Sequence, residues 1–511
     1  MTSTGAANPS AEDRRPHVVL VIPRGEAVRN FLYSDTLSVL AEQARVTVLS
    51  VVTDERVVRR AQQVVEEVIA LQEYPQAPWP ARLRVLTENA HDRWLWSAVA
   101  RNNWALRDLR AQQRGRRLRR WLTKGAASAL AHRPVLEGLT NLERSLTYRQ
   151  RPTEEFHQLF QRLQPDLVFN GSHIHGFAGE LPLRVAQRLG IPTAGFIFSW
   201  DNLTSRSRIF VPYDHYLVWH QNMKDQLLSI YRDAADERVH VTGTPQLDFH
   251  FRDDLSWDRE TTCRHYGLDP QRPYVVYTAG IAHHFPEEHR HVEKVIESLA
   301  AMGSAGSGGG QRPQLVVRVN VKDTSPEMKA LAQRGDEDVV FPPVAWDPVL
   351  STPHYEDLSA FSNLLRHCAV GVNAASTVSL ELLLFGKPVI NLDFDPPGTD
   401  LPWDLGYPRH IRFDHFKPVA ESGATMVARA SEDIPRFLQR GLEQPEADAE
   451  ARQAFLRSFF GDLLEGVRAG DSGRRVAESL LQIASPKRSQ VPSGDPSSAP
   501  SRGSTSRASA S

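Results

Sequence analysis

The sequence predicts an α/β protein built of two like units, each a parallel sheet with crossover helices. Three observations carry that expectation. Short apolar runs alternate with amphipathic stretches, the pattern restarts near residue 255, and 511 residues are more than one domain of ordinary size holds. In the first unit the runs are HVVLVI (17–22), RVTVLSVV (45–52), DLVFN (166–170) and TAGFIF (193–198), with FLYSDTLSVLAEQ and LPLRVAQRLG between them as helices. The second unit repeats the scheme with YVVYTAG (274–280), QLVVRVN (314–320), DVVF (338–341), CAVGVN (368–373) and PVINLDF (388–394). Its helices run through HVEKVIESLAAM and SLELLLFG.

These runs set the expected domain limits at 17–250 and 251–484. Residues 1–16 are small and polar and 485–511 are rich in Ser, Pro and Arg, so both ends are expected to be disordered. The Gly/Ser segment from Gly303 to Gly310 interrupts one α/β unit and reads as a surface loop. Residues 75–155 break the rhythm: they are helix-forming and rich in Trp and Arg, with nine basic residues against Asp108 alone between Arg101 and Lys124. They are expected to form a helical insertion in the first domain.

Composition removes several classes of function. Lys plus Arg number 60 against 61 Asp plus Glu, which does not suit a general nucleic-acid binder. Only Cys263 and Cys368 occur, far apart and without ligand spacing, so neither a disulfide framework nor a zinc ribbon is expected. No run approaches the 18 or so apolar residues of a membrane span, and the first apolar run lacks signal-peptide anatomy. A cytoplasmic protein is expected, at most peripheral to a membrane.

The strongest local pattern for chemistry is Gly371 to Asp395, where an apolar strand ends in small hydroxyl residues that open an amphipathic helix. A strand, turn and helix start offer free N–H groups and the positive end of a dipole to a diphosphate, which makes Ser376 and Thr377 phosphate candidates. Glu381, on the first turns of that helix, is within reach of a ribose. An ordinary helix cap is the other reading. In the first unit, His173 and His175 follow the strand DLVF, and Ser199, Trp200, Asp201 and Asn202 end the next, where ligands meet open parallel sheets. Either histidine could take a proton from a hydroxyl, or simply hold loop backbone. Gly243, before Thr244 and Pro245, permits close approach or a tight turn. Thr278 and Gly280 end the first strand of the second unit, and Arg318 lies within an apolar strand where it needs an anionic partner.

The order of these pieces resembles the GT-B group of nucleotide-sugar glycosyltransferases, UDP-N-acetylglucosamine 2-epimerases and CDP-glycerol glycerophosphotransferases, over about 17–70 and 160–420. PDLVFNGSHIHGFAGELPLRVAQRLGIPTAGFIFSWDNLTS is similar to an epimerase stretch, HVTGTPQLD to the hinge segment, and ASTVSLELLLFGKPVI to the nucleotide-binding helix. The resemblance implies two Rossmann-like domains facing a central cleft, with the nucleotide on the second domain, a ribose on Glu381 and the acceptor entering from the first. It implies transfer of a sugar from a nucleotide diphosphosugar to a sugar or lipid-linked acceptor, with surface polysaccharide or glycolipid synthesis as a setting. An epimerase-like enzyme and a non-catalytic nucleotide-sugar or glycan-binding module are the alternatives. No metal or other cofactor is required by this scheme. Where the epimerases carry Asp-Ser-Gly-Gly, this chain has Ala374, Ala375, Ser376 and Thr377; where they carry an acidic loop it has Ser199 to Ser205. Where several relatives carry Arg-x-His-Pro, it has Arg318, Val319, Asn320 and Val321, so Arg318 is the retained cation.

Under this reading His175, His173 and Asp201 are the catalytic candidates, and Gly243, Thr278, Gly280, Arg318, Ser376, Thr377 and Glu381 the nucleotide-sugar ligands. In the insertion, Trp94, Trp96, Trp104 and Trp121 accompany Arg114, Arg116, Arg117, Arg119 and Arg120. That composition suits either contact with anionic lipid or a solvated basic face over packed tryptophans.

Overall fold

The structure is a computed structural model and describes residues 15–150, 153–174, 177–206, 208–304 and 312–485. Most of both terminal segments, and part of the Gly/Ser segment, lie outside the described residues. The apolar runs form fifteen strands. β1 (His17–Ile22), β2 (Arg45–Ser50), β3 (Glu67–Ala70), β4 (Leu167–Asn170), β5 (Thr193–Phe196), β6 (His215–Val218) and β7 (Val239–Val241) make one seven-stranded sheet. Its order is β3-β2-β1-β4-β5-β6-β7, and every pairing is parallel. The interior strand β1 is buried along its whole length, which explains why its sequence is an apolar run rather than an alternation.

β8 (Tyr274–Thr278), β9 (Gln314–Arg318), β10 (Val339–Val340), β13 (Val370–Asn373), β14 (Val389–Leu392) and β15 (Met426–Ala428) form the second sheet. Its order is β10-β9-β8-β13-β14-β15, again wholly parallel. Between β10 and β13, β11 (Trp346–Asp347) and β12 (Thr352–Pro353) make a short antiparallel pair. In each sheet the strand order reverses direction at one place: between β1 and β4 in the first, between β8 and β13 in the second. Loops leaving the carboxyl ends of strands diverge at such a point and open a crevice, so these two places are where a ligand fits.

The helical insertion is present as Pro78–Leu95, Ala98–Arg110, Arg114–Leu130 and Arg133–Gln150. It has a small core of its own, Ala90, Trp104, Ala127 and Leu136. A buried ion network ties it to the first sheet's helix Glu180–Arg188. Arg84 reaches Glu143 at 2.8 Å and Glu180 at 2.7 Å, and Arg184 reaches Glu143 at 2.8 Å.

One element departs from the expected domain limits. The final helix, Ser472–Ala484, returns to the first domain and packs on helix Asp35–Gln43 and on β1 and β4. Asp248 holds its first turn, accepting from Ser472 N at 3.1 Å and Gly473 N at 2.6 Å, and Thr36 Oγ1 donates to Gly473 O at 3.1 Å. The first domain is therefore made from both ends of the described chain.

Candidate functional site

The two crevices face one another across an interdomain cavity of about 330 Å³. From the second domain it is lined by Thr278 and Ala279 after β8, by Arg318 to Val321 after β9, and by Ser376, Thr377, Val378 and Glu381 after β13. From the first it is lined by Arg29, by Phe198 and Ser199 after β5, and by Gln246, Phe249 and His250. A larger hollow of about 690 Å³ opens beside Gly190–Pro192 and Pro212–Asp214, at the amino ends of β5 and β6. That is the wrong end of a parallel sheet for a ligand site.

Five of the seven nucleotide-sugar candidates meet in this cleft, Thr278, Arg318, Ser376, Thr377 and Glu381, and Ser199 joins them from the first domain. Strand β13 ends at Asn373, and the turn Ala374–Thr377 leads into helix Val378–Leu384. Ser376 Oγ accepts from Val378 N at 3.2 Å, so this hydroxyl shapes the turn itself. Thr377 Oγ1 accepts from Trp200 Nε1 of the first domain at 3.1 Å. Trp200 is buried among His415, Phe416 and Phe459 of the second domain, which makes it a fixed bridge between the domains at the edge of the cleft. Thr278 Oγ1 is buried and has no hydrogen-bond partner among the described residues.

Glu381 is almost enclosed, 7% exposed, and its Oε2 lies 3.1 Å from His250 Nε2. The other ring nitrogen lies 3.0 Å from Ser362 Oγ, whose hydroxyl donates to Phe249 O at 3.3 Å. A carboxylate only accepts, so Nε2 carries a ring proton and donates it to Glu381. Glu381 is thereby held in place by one oxygen while the other remains to accept from a ligand.

Arg318 has the anionic partner that its place in an apolar strand calls for, and that partner is a side chain of its own domain. It donates to Asp357 Oδ2 and, from Nη1, to Pro343 O at 3.1 Å, and Trp346 Nε1 donates to the same Asp357 oxygen at 2.8 Å. With both Arg318 and Asp357 about nine-tenths buried, its charge is already met. The cleft's second arginine is Arg29, on the π-helical turn Val28–Leu32 after β1. It donates to Gln246 Oε1 at 2.7 Å and to Asn30 Oδ1 at 3.2 Å, both neutral amides. Burial pulls its pKa down, and the fields of Glu381 and Glu26 oppose that pull. No carboxylate lies within ion-pair distance of it among the described residues. A guanidinium oriented by amides and lacking a contact anion is suited to a diphosphate.

The remaining candidates lie outside the cavity wall. Gly280 sits beneath Phe285, whose ring would collide with an added Cβ at 2.1 Å, and its N–H donates to Glu288 Oε2 at 2.9 Å. Tyr277 donates its hydroxyl to the other oxygen of Glu288 at 3.1 Å. Glu288 forms no ion pair among the described residues, and burial raises its pKa to about 8. Gly243 has φ of +81° and lies against Ser472, at the joint with the final helix and outside the cavity lining. His173 Nδ1 lies 3.2 Å from Phe196 O and 3.4 Å from Phe198 N, in the backbone-holding arrangement. Asp201 accepts from Ser205 Oγ and from Asn202 Nδ2 at 3.3 Å, which closes its own short helix; burial pushes its pKa up, but His415 nearby and the hydroxyls of Ser199 and Ser205 bring it below the usual carboxylate value. His175 lies outside the described residues.

Sequence reasoning missed Arg29, Gln246 and His250. Gln246 and His250 belong to the short helix Pro245–His250 that begins within GTPQLD, three and seven residues past the glycine that attracted attention. Arg29 stands in RNFLYSD directly after β1, the position that a switch point beside β1 makes available. Among the described residues no group of three or more His, Cys, Asp or Glu is arranged to hold a metal ion, and no helix is long and apolar enough to cross a membrane.

No family model and no curated protein sequence matches the chain. Solved structures do. A UDP-N-acetylglucosamine 2-epimerase shares 15% identity with a TM-score of 0.51, covering 92% of this chain and 96% of its own. The UDP-GlcNAc 2-epimerase of Neisseria meningitidis, bound to UDP-GlcNAc, shares 11% with a TM-score of 0.52, covering 91% and 100%. The S. aureus MnaA–UDP co-structure shares 12% with a TM-score of 0.50, covering 91% and 96%. The chain therefore has the GT-B fold, of two Rossmann-like domains, related to that of the epimerases. Identities this low speak for fold and not for reaction. The likeness to CDP-glycerol glycerophosphotransferases rests on sequence motifs alone.

Proposed function

We propose that this protein is a glycosyltransferase that moves a sugar from a nucleotide diphosphosugar to an acceptor. The observation that carries the reading is the interdomain cleft, in which Arg29 from one domain faces the Ser376–Thr377 turn and Glu381 from the other. A diphosphate at the turn would sit between the helix start and a guanidinium, and the ribose hydroxyls would reach the free oxygen of Glu381. Arg29 then offsets charge as it develops on the leaving diphosphate, the part of a sugar transfer that a protein can stabilise most directly. That UDP-GlcNAc and UDP are held by proteins of the same fold supports a nucleotide-sugar ligand. Arg318, in the wall itself, acts by fixing Asp357. His175, with His173, remains the proposed group for deprotonating or positioning an acceptor hydroxyl.

Epimerase-like processing is the second reading, and the fold likeness favours it. Against it, the first-domain side of the cavity brings Arg29, Ser199, Gln246 and His250 but no carboxylate among the described residues. The two readings separate in one experiment, incubation with UDP-, GDP-, CDP- and dTDP-sugars with and without candidate sugar and lipid-linked acceptors. Transfer predicts free nucleotide diphosphate that depends on the acceptor. Recovery of an epimerised donor without acceptor makes the protein an epimerase, and binding with neither product makes it a silent module. In the same assay, alanine at His173 or His175 should lower turnover while donor affinity stays within about threefold.

A further inference from the structure

Helix Arg114–Leu130 of the insertion is oriented the wrong way round for a helix whose outer side meets only water. Its inward side is anchored by polar groups as well as by packing. Ala127 is fully buried, and Arg120 donates to Asp108 Oδ1 and Asn89 Oδ1, both at 2.8 Å. The outward side carries Leu118, 61% exposed, Trp121, 69% exposed, and Leu122, 56% exposed. At about 100° per residue these three, with exposed Gly125 and Ala129, fall within a sector of roughly 100°, opposite Arg120 and Ala127. Arg117 and Arg119 lie roughly 40–60° beyond its two margins; both are exposed, and neither forms an ion pair among the described residues. The tryptophans named in the sequence thus divide. Trp104 is buried beneath Arg120 and Lys124, Trp96 packs edge-on against Trp104, Trp94 stands under Arg133, and Trp121 alone of the four points into an apolar stripe without a covering group.

We infer that this face docks on an anionic lipid bilayer, with the helix lying along the surface. Leu118, Trp121 and Leu122 would enter the boundary between headgroups and acyl chains, while Arg117 and Arg119 meet phosphate on either side. A stripe of this width with cations at its margins matches a membrane surface better than a water-facing one, since only an apolar phase uses the stripe and only anions use both margins. Charge complementarity selects the occupant: two flanking guanidinium groups oppose a second copy of the same face and favour anionic headgroups. The inference does not depend on which reaction the cleft performs.

Vesicle flotation of the full chain tests it. Vesicles of phosphatidylcholine alone are compared with vesicles containing about 30 mol% phosphatidylglycerol, in low and high salt. The expected result is binding to the anionic vesicles in low salt, weakened by salt, with little binding to the neutral ones. Trp121→Asp, and separately Arg117→Glu with Arg119→Glu, should each lower partition at least about tenfold, while Trp121→Phe retains it. Since all three side chains are exposed, circular dichroism melts of the variants should match the parent. Partition unchanged by Trp121→Asp, or equally weak on both vesicle types, overturns the inference. So does self-association that Trp121→Asp abolishes without any vesicle binding, which would give the stripe to a second copy.

Discussion

The two walls of the cleft are built by different means. The second-domain wall comes from strand ends that sit side by side in one sheet, and its turn and helix are one continuous stretch, Gly371 to Asp395. The first-domain wall is assembled from three distant places: Arg29 after β1, Ser199 after β5, and Gln246 and His250 at the joint between domains. Each wall also contributes an arginine, and the two have opposite surroundings. Arg318 is neutralised by Asp357 within its own domain, whereas Arg29 is held only by amides. A cation with its counterion already in place serves the fold. One that is held in position but lacks a contact anion is available to a ligand.

The largest effect that can test this contrast is expected from Arg318→Met. It strands a buried Asp357 and should cost about 3–5 kcal/mol of stability, read by denaturant unfolding, while the folded fraction keeps nucleotide affinity within about threefold. Full stability with lost affinity would exchange the roles of the two arginines.

Next is Glu288, which fixes Gly280 behind the second wall. Its pKa is raised by burial to about 8, so the native state keeps a proton that the unfolded chain releases. Its contribution is therefore complete below the unfolded carboxyl pKa and is lost as pH rises toward 8. Glu288→Gln should remove about 3 kcal/mol of that decline between about pH 5 and pH 7.5, seen as a flatter dependence of Tm on pH. Parallel pH profiles for parent and variant would mean that Glu288 is ionised throughout.

Arg29→Met should behave as the reverse of Arg318→Met, with Tm nearly unchanged and nucleotide diphosphate affinity about thirtyfold weaker, close to 2 kcal/mol. A variant that binds as tightly as the parent by calorimetry removes Arg29 from the site. The smallest effect is expected at Glu381→Gln. It should reduce the preference for ribo- over 2′-deoxyribonucleotide by about fivefold, near 1 kcal/mol. If the parent shows no such preference, Glu381 does not hold the ribose.

The sheet pattern was legible because buried parallel strands have unbroken apolar runs, and β1, β8 and β13 could be marked from composition alone. The second wall was legible for a related reason, since one local motif holds its turn and its carboxylate. Arg29 and His250 were not, because nothing near either residue in sequence shows that helix Val378–Leu384 will stand opposite. That Arg318 needs an anion was legible from its apolar strand, but not which one: its partner Asp357 is 39 residues away, beyond the reach of a spacing argument. The limit at residue 250 overlooked the final helix because an amphipathic helix does not state which domain will bury its apolar side.

The return of Ser472–Ala484 to the first domain also bears on how the molecule is made. As the chain leaves the ribosome, β1 to β7 emerge early, but the helix that covers β1 and β4 is among the last described elements to appear. At about 5–20 residues per second, roughly twelve to forty-six seconds separate β7 from that helix, an interval in which the nascent first domain lacks one of its covering helices. The second domain can complete itself within this interval. Maturation of the cleft is thus ordered from the back of the chain, and a nascent chain that stops short of residue 472 should expose the apolar surface of the first domain to chaperones.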